Sequence, residues 1–149
     1  MEENKTIKVK LLNDLAKLPT FGSYGAAGAD LYAATSYDIV IQPHQTVKID
    51  TGLAMAIPNG YFGAIYARSG LATKQGLRPA NCVGVVDSDY RGPIIVALHN
   101  DTETDQIIPA QSRIAQLIIS PVPVINYVEV DELDDTERGE GGFGSTGIK

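Results

Sequence analysis

Residues 138–147 read Arg-Gly-Glu-Gly-Gly-Phe-Gly-Ser-Thr-Gly. Five of these ten are glycine, so the stretch loses too much entropy on ordering to hold one shape alone. It still carries Arg138, Phe143 and the hydroxyl pair Ser145–Thr146. A guanidinium and hydroxyls suit phosphate oxygens, and a lone phenyl ring can lie flat on a planar base. The segment reads as a mobile flap that orders over a nucleotide.

A second chemical stretch runs from Gly84 to Gly92, Gly-Val-Val-Asp-Ser-Asp-Tyr-Arg-Gly. Asp87 and Asp89 are two apart, so on a strand they would share a face. Paired acids suit activation of water or a divalent metal; acids at a hairpin end also simply make Asx-turns. Tyr90 either packs on the hairpin or walls a sugar pocket. Arg68-Ser69-Gly70 falls where a strand gives way to a helix signal. Free N–H groups there bind anions, Gly70 lets an oxygen approach, and Arg68 adds a bidentate donor.

Two further segments are weaker alone. Ala27-Gly28-Ala29-Asp30-Leu31 sets one acid among small residues, which by itself reads as a capping or turn aspartate. In Arg113-Ile114-Ala115-Gln116 the two polar residues are three apart, so a regular strand turns them to opposite sides. His44 and His99 have no ligand-like spacing and read as exposed loop histidines. No Ser/His/Asp set, Walker-type loop or His-rich metal spacing is present.

Short strands must carry these groups. β-rich runs are expected at Thr6–Leu12, Ile39–Ile41, Val47–Ile49, Leu53–Ile57, Tyr61–Ala67, Cys82–Val86, Ile94–Leu98, Ile114–Ile119 and Val124–Val130. Turn signals such as Pro58-Asn59-Gly60 divide them, at intervals suited to an all-β sandwich or barrel. One helix is predicted over about 69–75, with Ser69 as N-cap and Gly76 as stop. Glu129–Glu140 holds seven acids against Arg138 alone, an acidic linker to the flap.

The 149 residues fit one domain, and 44% hydrophobic content supplies a core. A net charge of −6 argues against a nucleic-acid binder. The single cysteine, Cys82, excludes an intrachain disulfide and reads as a small strand residue compatible with a reducing compartment. The opening Met-Glu-Glu-Asn-Lys lacks signal-peptide character, and no apolar run reaches membrane-spanning length. The expectation is a soluble intracellular protein.

The five segments, in this order, resemble the trimeric dUTP pyrophosphatase (dUTPase) family. They are Ala27–Leu31, Arg68–Gly70, Gly84–Gly92, Arg113–Gln116 and Arg138–Gly147; the likeness spans about residues 7–147. The third and fifth are specific. The resemblance implies a β-clip or distorted jelly-roll barrel as a single domain over 1–149, with a β core at 1–130 and linker and flap at 131–149. It implies a dUTP diphosphatase that yields dUMP and pyrophosphate, keeping uracil out of DNA and supplying the thymidylate precursor. It also implies a homotrimer whose three sites lie between subunits, each closed by another chain's tail, in the cytoplasm, or also the nucleus of a eukaryote.

By the same resemblance Asp87 is the base for water attack on the α-phosphorus. Arg68, Ser69, Gly70 and Gln116 hold phosphates. Asn81, with the backbone around Cys82 and Gly84, reads the uracil edge and leaves no room for thymine's methyl. Tyr90 packs on the deoxyribose and excludes a 2′-hydroxyl. Phe143 stacks on uracil, while Arg138, Gly144, Ser145 and Thr146 close over the phosphates. Asp30, Asp89 and Arg113 support the site, Asp30 near the metal-bound water or a phosphate arginine. Mg²⁺ is the cofactor, held through substrate phosphates and waters with few or no protein ligands. The rival readings are a dCTP deaminase-like enzyme, which needs an acid–base residue aimed at C4 of cytosine, and a non-catalytic nucleotide-binding trimer.

Overall fold

The computed structural model describes residues 5–148. The first four residues, on which the reading of a leaderless N-terminus rests, lie outside them. The chain forms β1 (Lys8–Leu11), β2 (Thr20–Phe21), β3 (Ala29–Tyr32), β4 (Ile39–Ile41), β5 (Thr46–Asp50), β6 (Leu53–Ala56) and β7 (Tyr61–Tyr66). After α1 (Ser69–Gln75) come β8 (Leu77–Pro79), β9 (Gly84–Val86), β10 (Ile95–Asn100), β11 (Gln106–Ile108) and β12 (Arg113–Pro121). The all-β expectation with one short helix holds.

A five-stranded sheet in the order β2-β3-β12-β7-β9 is antiparallel throughout. It is completed by a β5-β10-β8 sheet and the pairs β1-β6 and β4-β11. Period-two patterning decides which side faces in. In β3, Ala29 and Leu31 are buried while Asp30 and Tyr32 are not; in β10, Val96, Leu98 and Asn100 point inward. Leu31, Ile41, Ile49, Leu53, Leu77, Leu98 and Ile114 meet in one core. A buried polar group costs free energy unless it is bonded. Asn100 meets that condition: its Nδ2 donates to the carbonyls of Ile41 and Thr104, and its Oδ1 accepts from the Thr102 N–H and hydroxyl.

Several expectations need correction. The Val124–Val130 run forms no strand. Val124 and Tyr127 are each 95% exposed; a β-rich sequence becomes a strand only where a partner supplies the ladder, and this segment has none within the described residues. The run from Cys82 shortens to Gly84–Val86, and Cys82 is an exposed loop residue. His99 is not in a loop. It lies in β10, half-buried, with Nδ1 2.8 Å from the Thr46 hydroxyl. Conversely β2, β3, β8 and β11 lie outside the predicted runs.

Candidate active site

Asp30 is not a turn residue but sits within β3, directly across from Gln116 of β12. Its carboxylate accepts from Arg68 Nε at 3.1 Å through Oδ1 and from Arg113 Nη1 at 3.3 Å through Oδ2. One carboxylate therefore aims two guanidiniums. It can do so because β12 carries a bulge: Arg113 faces Tyr32 while Ala115 already faces Leu31. The extra residue makes Ile114 and Ala115 consecutively buried, at 1% and 0% exposure. The expected opposition of Arg113 and Gln116 is thereby overturned, since they face Tyr32 and Asp30, two apart on β3 and so on one face.

Gln116 is bonded at one end of its amide and lies close against Gly28 at the other. Its Nε2 donates to the Ala67 carbonyl at 2.9 Å, and its Oε1 lies 2.5 Å from where a Cβ on Gly28 would stand. That close approach explains the glycine at position 28, which sequence reasoning had left without a role.

The Ala67 carbonyl is one residue before Arg68, which proves to be the N-cap in place of Ser69. The reason is that the Arg68 carbonyl already accepts the Ala72 N–H at 3.0 Å, so the first turn starts one residue earlier. Gly76 ends α1 in the left-handed conformation, φ 64°, as predicted. Arg68 and Arg113 line a cavity of about 350 Å³ with Tyr32, Leu71 and Ser112.

Asp87 follows the last residue of β9, and Asp89 stands in the turn beyond it. Both are exposed. They share no strand face, because the strand ends before either: the Tyr90 N–H turns back onto the Asp87 carbonyl at 3.2 Å. Tyr90 is braced by its hydroxyl, which donates to the Pro93 carbonyl at 2.9 Å. Asp87, Tyr90, Asn81 and Gly84 line a second cavity of about 200 Å³, against Ile65 and Ile94. Gly84 packs closely there: a Cβ would stand 3.1 Å from Ile65 Cβ and 3.3 Å from Asn81 Nδ2, so either neighbour would have to give by a few tenths of an ångström.

The two cavities have no lining residue in common. The tail joins neither. Arg138 Nε donates to the Gly141 carbonyl at 2.8 Å, and the other hydrogen bonds seen among residues 138–147 stay within the tail or reach Thr136. Phe143 is fully exposed, with φ 49°, and Ser145 and Thr146 are exposed with Gly144 between solvent-facing turns. Among the described residues no three His, Cys, Asp or Glu side chains converge on a cation position.

An antiparallel, jelly-roll-like domain with a carboxylate-aimed arginine pair and an exposed aspartate just past a strand end is suited to an anionic ligand. The dUTPase family model matches residues 14–147. The chain is 47% identical to a deoxyuridine 5′-triphosphate nucleotidohydrolase of Desulfitobacterium hafniense strain DSM 10664 / DCB-2, covering 96% of this chain and 98% of that one. It is 46% identical to the mitochondrial deoxyuridine 5′-triphosphate nucleotidohydrolase of Dictyostelium discoideum, covering 97% and 79%. The dUTPase of Staphylococcus bacteriophage 80alpha, solved with dUPNHPP, superposes with a TM-score of 0.89 at 30% identity, covering 97% of this chain and all of that one. The chain belongs to the dUTPase family. No helix among the described residues is long and apolar enough to cross a membrane.

Proposed function

We propose that this protein hydrolyses dUTP to dUMP and pyrophosphate, keeping uracil out of DNA and supplying dUMP for thymidylate synthesis in the cytoplasm. The observation that carries the reading is the Asp30-bridged pair Arg68 and Arg113 beside the open start of α1, together with an exposed Asp87 at the end of β9. Arg68, with the N–H groups of Ser69 and Gly70, holds phosphate oxygens, and Gln116 braces that corner. Nothing stands within 4 Å of a Cβ position on Gly70, which leaves an approach for an oxygen.

Asp87 accepts a proton from water as its oxygen bonds to the α-phosphorus. The bond from that phosphorus to the bridging oxygen breaks, and pyrophosphate leaves with the electron pair. Preorganised cations matter most where charge builds in the transition state. Asn81 and the Gly84 backbone read uracil, and Tyr90 excludes a 2′-hydroxyl. Asp89 supports the turn.

The donor set fits Mg²⁺ carried on the triphosphate: Asp30 is occupied by two arginines, and among the described residues no cluster of three carboxylates competes for the ion. When bound, Mg²⁺ would neutralise phosphate charge there.

The separation of the two cavities supports a site assembled between subunits of a homotrimer, with Phe143, Arg138, Ser145 and Thr146 arriving from another chain. Pyrophosphate release from dUTP tests the function; ammonia release from dCTP, or binding without turnover, would overturn it. Co-refolding an Asp87→Asn chain with a chain lacking residues 138–149 tests the sharing. Activity well above the sum of the two parents is expected, and no recovery would place the whole site in one chain.

A further inference from the structure

Arg78 is the middle residue of β8 and pairs with His99 of β10. Its guanidinium forks onto Asp101, with Nε 2.7 Å from Oδ2 and Nη2 3.2 Å from Oδ1. The remaining nitrogen, Nη1, turns forward along the chain. It donates to the Pro79 carbonyl at 3.2 Å and to the Cys82 sulfur at 3.1 Å. The Cys82 thiol in turn donates to the Pro79 carbonyl at 3.1 Å. Asp101 is also approached by His99 Nε2 at 3.6 Å, and His99 is anchored to β5 through Thr46. One planar group thus fastens the loop at 80–83 to the end of β10.

That loop carries Asn81 into the cavity shared with Gly84 and Tyr90. Its start is held by the Ala80 N–H on the Ala97 carbonyl at 2.8 Å. Beyond that point, among the described residues, its side-chain hydrogen bonds run through the Cys82 sulfur. The fork holds Arg78 above its ordinary pKa and Asp101 below the usual carboxylate range, first through their hydrogen bond. Asp101 therefore keeps its charge, and the clamp its strength, until pH falls through that lowered value.

We propose that Arg78, clamped by Asp101, is a positioning residue that sets base selectivity by fixing the loop at 80–83. The proposal rests on the reading of Asn81 as the group that meets the base. An exposed ion pair contributes little to stability, so the clamp acts through geometry. A single methyl in a tight pocket discriminates by roughly 10–200-fold, and that margin is lost if the loop drifts. Lysine cannot replace the fork, because one ammonium cannot face Asp101 along two parallel bonds while also reaching the sulfur.

The test compares wild type with Arg78→Met, Arg78→Lys and Asp101→Asn. Hydrogen exchange of the amides at 80–84 is read in the free protein, and KM and kcat are read for dUTP and dTTP. Expected are exchange faster by about tenfold at 80–84, a higher KM for dUTP with kcat within about twofold, and a dUTP:dTTP preference reduced by about tenfold. Arg78→Lys should fall between Arg78→Met and wild type. Unchanged exchange overturns the clamp. Faster exchange with unchanged preference overturns its role in selectivity. Wild-type protein without dUTP turnover would overturn the proposed function instead, and the exchange data would still decide whether Arg78 holds the loop. If Arg78→Met does not fold, Asp101→Asn gives the same readings with the loop's own residues intact.

Discussion

The arginine cluster and the C-terminal tail carry similar chemistry in opposite physical states. Arg68, at the N-cap of α1, and Arg113, on β12, are aimed by one carboxylate of β3 that is only 14% exposed, and the core fixes the β3–β12 register. Arg138, Phe143, Ser145 and Thr146 sit on turns bonded to themselves, open to solvent. On the proposed function, the first set of groups would meet a ligand already oriented. The second would have to lose its freedom on meeting one, which lowers affinity per contact but allows a segment to wrap and release. A site made of both halves gains a rigid template and an exit.

The largest effect separates chemistry from both regions. Asp87→Asn should lose on the order of 10²–10⁴-fold in kcat, the contribution of a general base, while dUTP binding and folding persist; Asp89→Asn should be milder. Near-normal turnover in Asp87→Asn would remove Asp87 from its role. Next, deleting residues 138–149 should lower dUTP turnover by roughly 10²-fold, the scale of lost positioning, and leave the melting temperature almost unchanged. A tail whose loss melts the protein would erase the contrast.

Asp30→Ala is the converse experiment. It leaves two partly exposed guanidiniums unaimed, so phosphate affinity should fall by about 1–3 kcal/mol and stability by about 1 kcal/mol. Calorimetry together with KM checks this. A variant that lost affinity at wild-type stability would show that the cluster is no more preorganised than the tail. The smallest change is expected at Tyr90: a smaller apolar residue there should raise UTP hydrolysis relative to dUTP by a few-fold, as for loss of one steric contact. An unaltered ratio would move sugar selection to the backbone of β9 and the turn that follows it.

Much of this was legible in the residues. The turn signals and β-rich runs defined the class, and the Ser69–Gly76 signal located α1 to within its cap. The segments Gly84–Gly92 and Arg138–Gly147 marked chemistry because their residue types are unusual together. What failed was parity. The bulge at Ile114 inserts one residue without any mark in composition, so counting by two sent Arg113 to the wrong side. The Asp30 bridge joins residues 38 and 83 positions away, a pairing that only the sheet order can reveal. Gly28 was visible as a glycine, but its reason lies in the Gln116 amide pressed against it. The strand expected at Val124–Val130 had the right residues and lacked a ladder.

That bare stretch has a consequence for solubility. β-Branched and aromatic side chains without a sheet partner are the kind of segment that recruits other chains edge to edge. Here the acids between Glu129 and Glu140 stand directly beside it, so two such arms approach one another as like charges. Their protection is a matter of charge, and the protein's pI is about 4.8. Near that pH the repulsion between whole molecules is lost, although the arms stay acidic, and precipitation should precede unfolding; salt should weaken the repulsion between the arms themselves by screening. The acidic run then works as a gatekeeper over the uncovered stretch, holding it apart from its copies in solution.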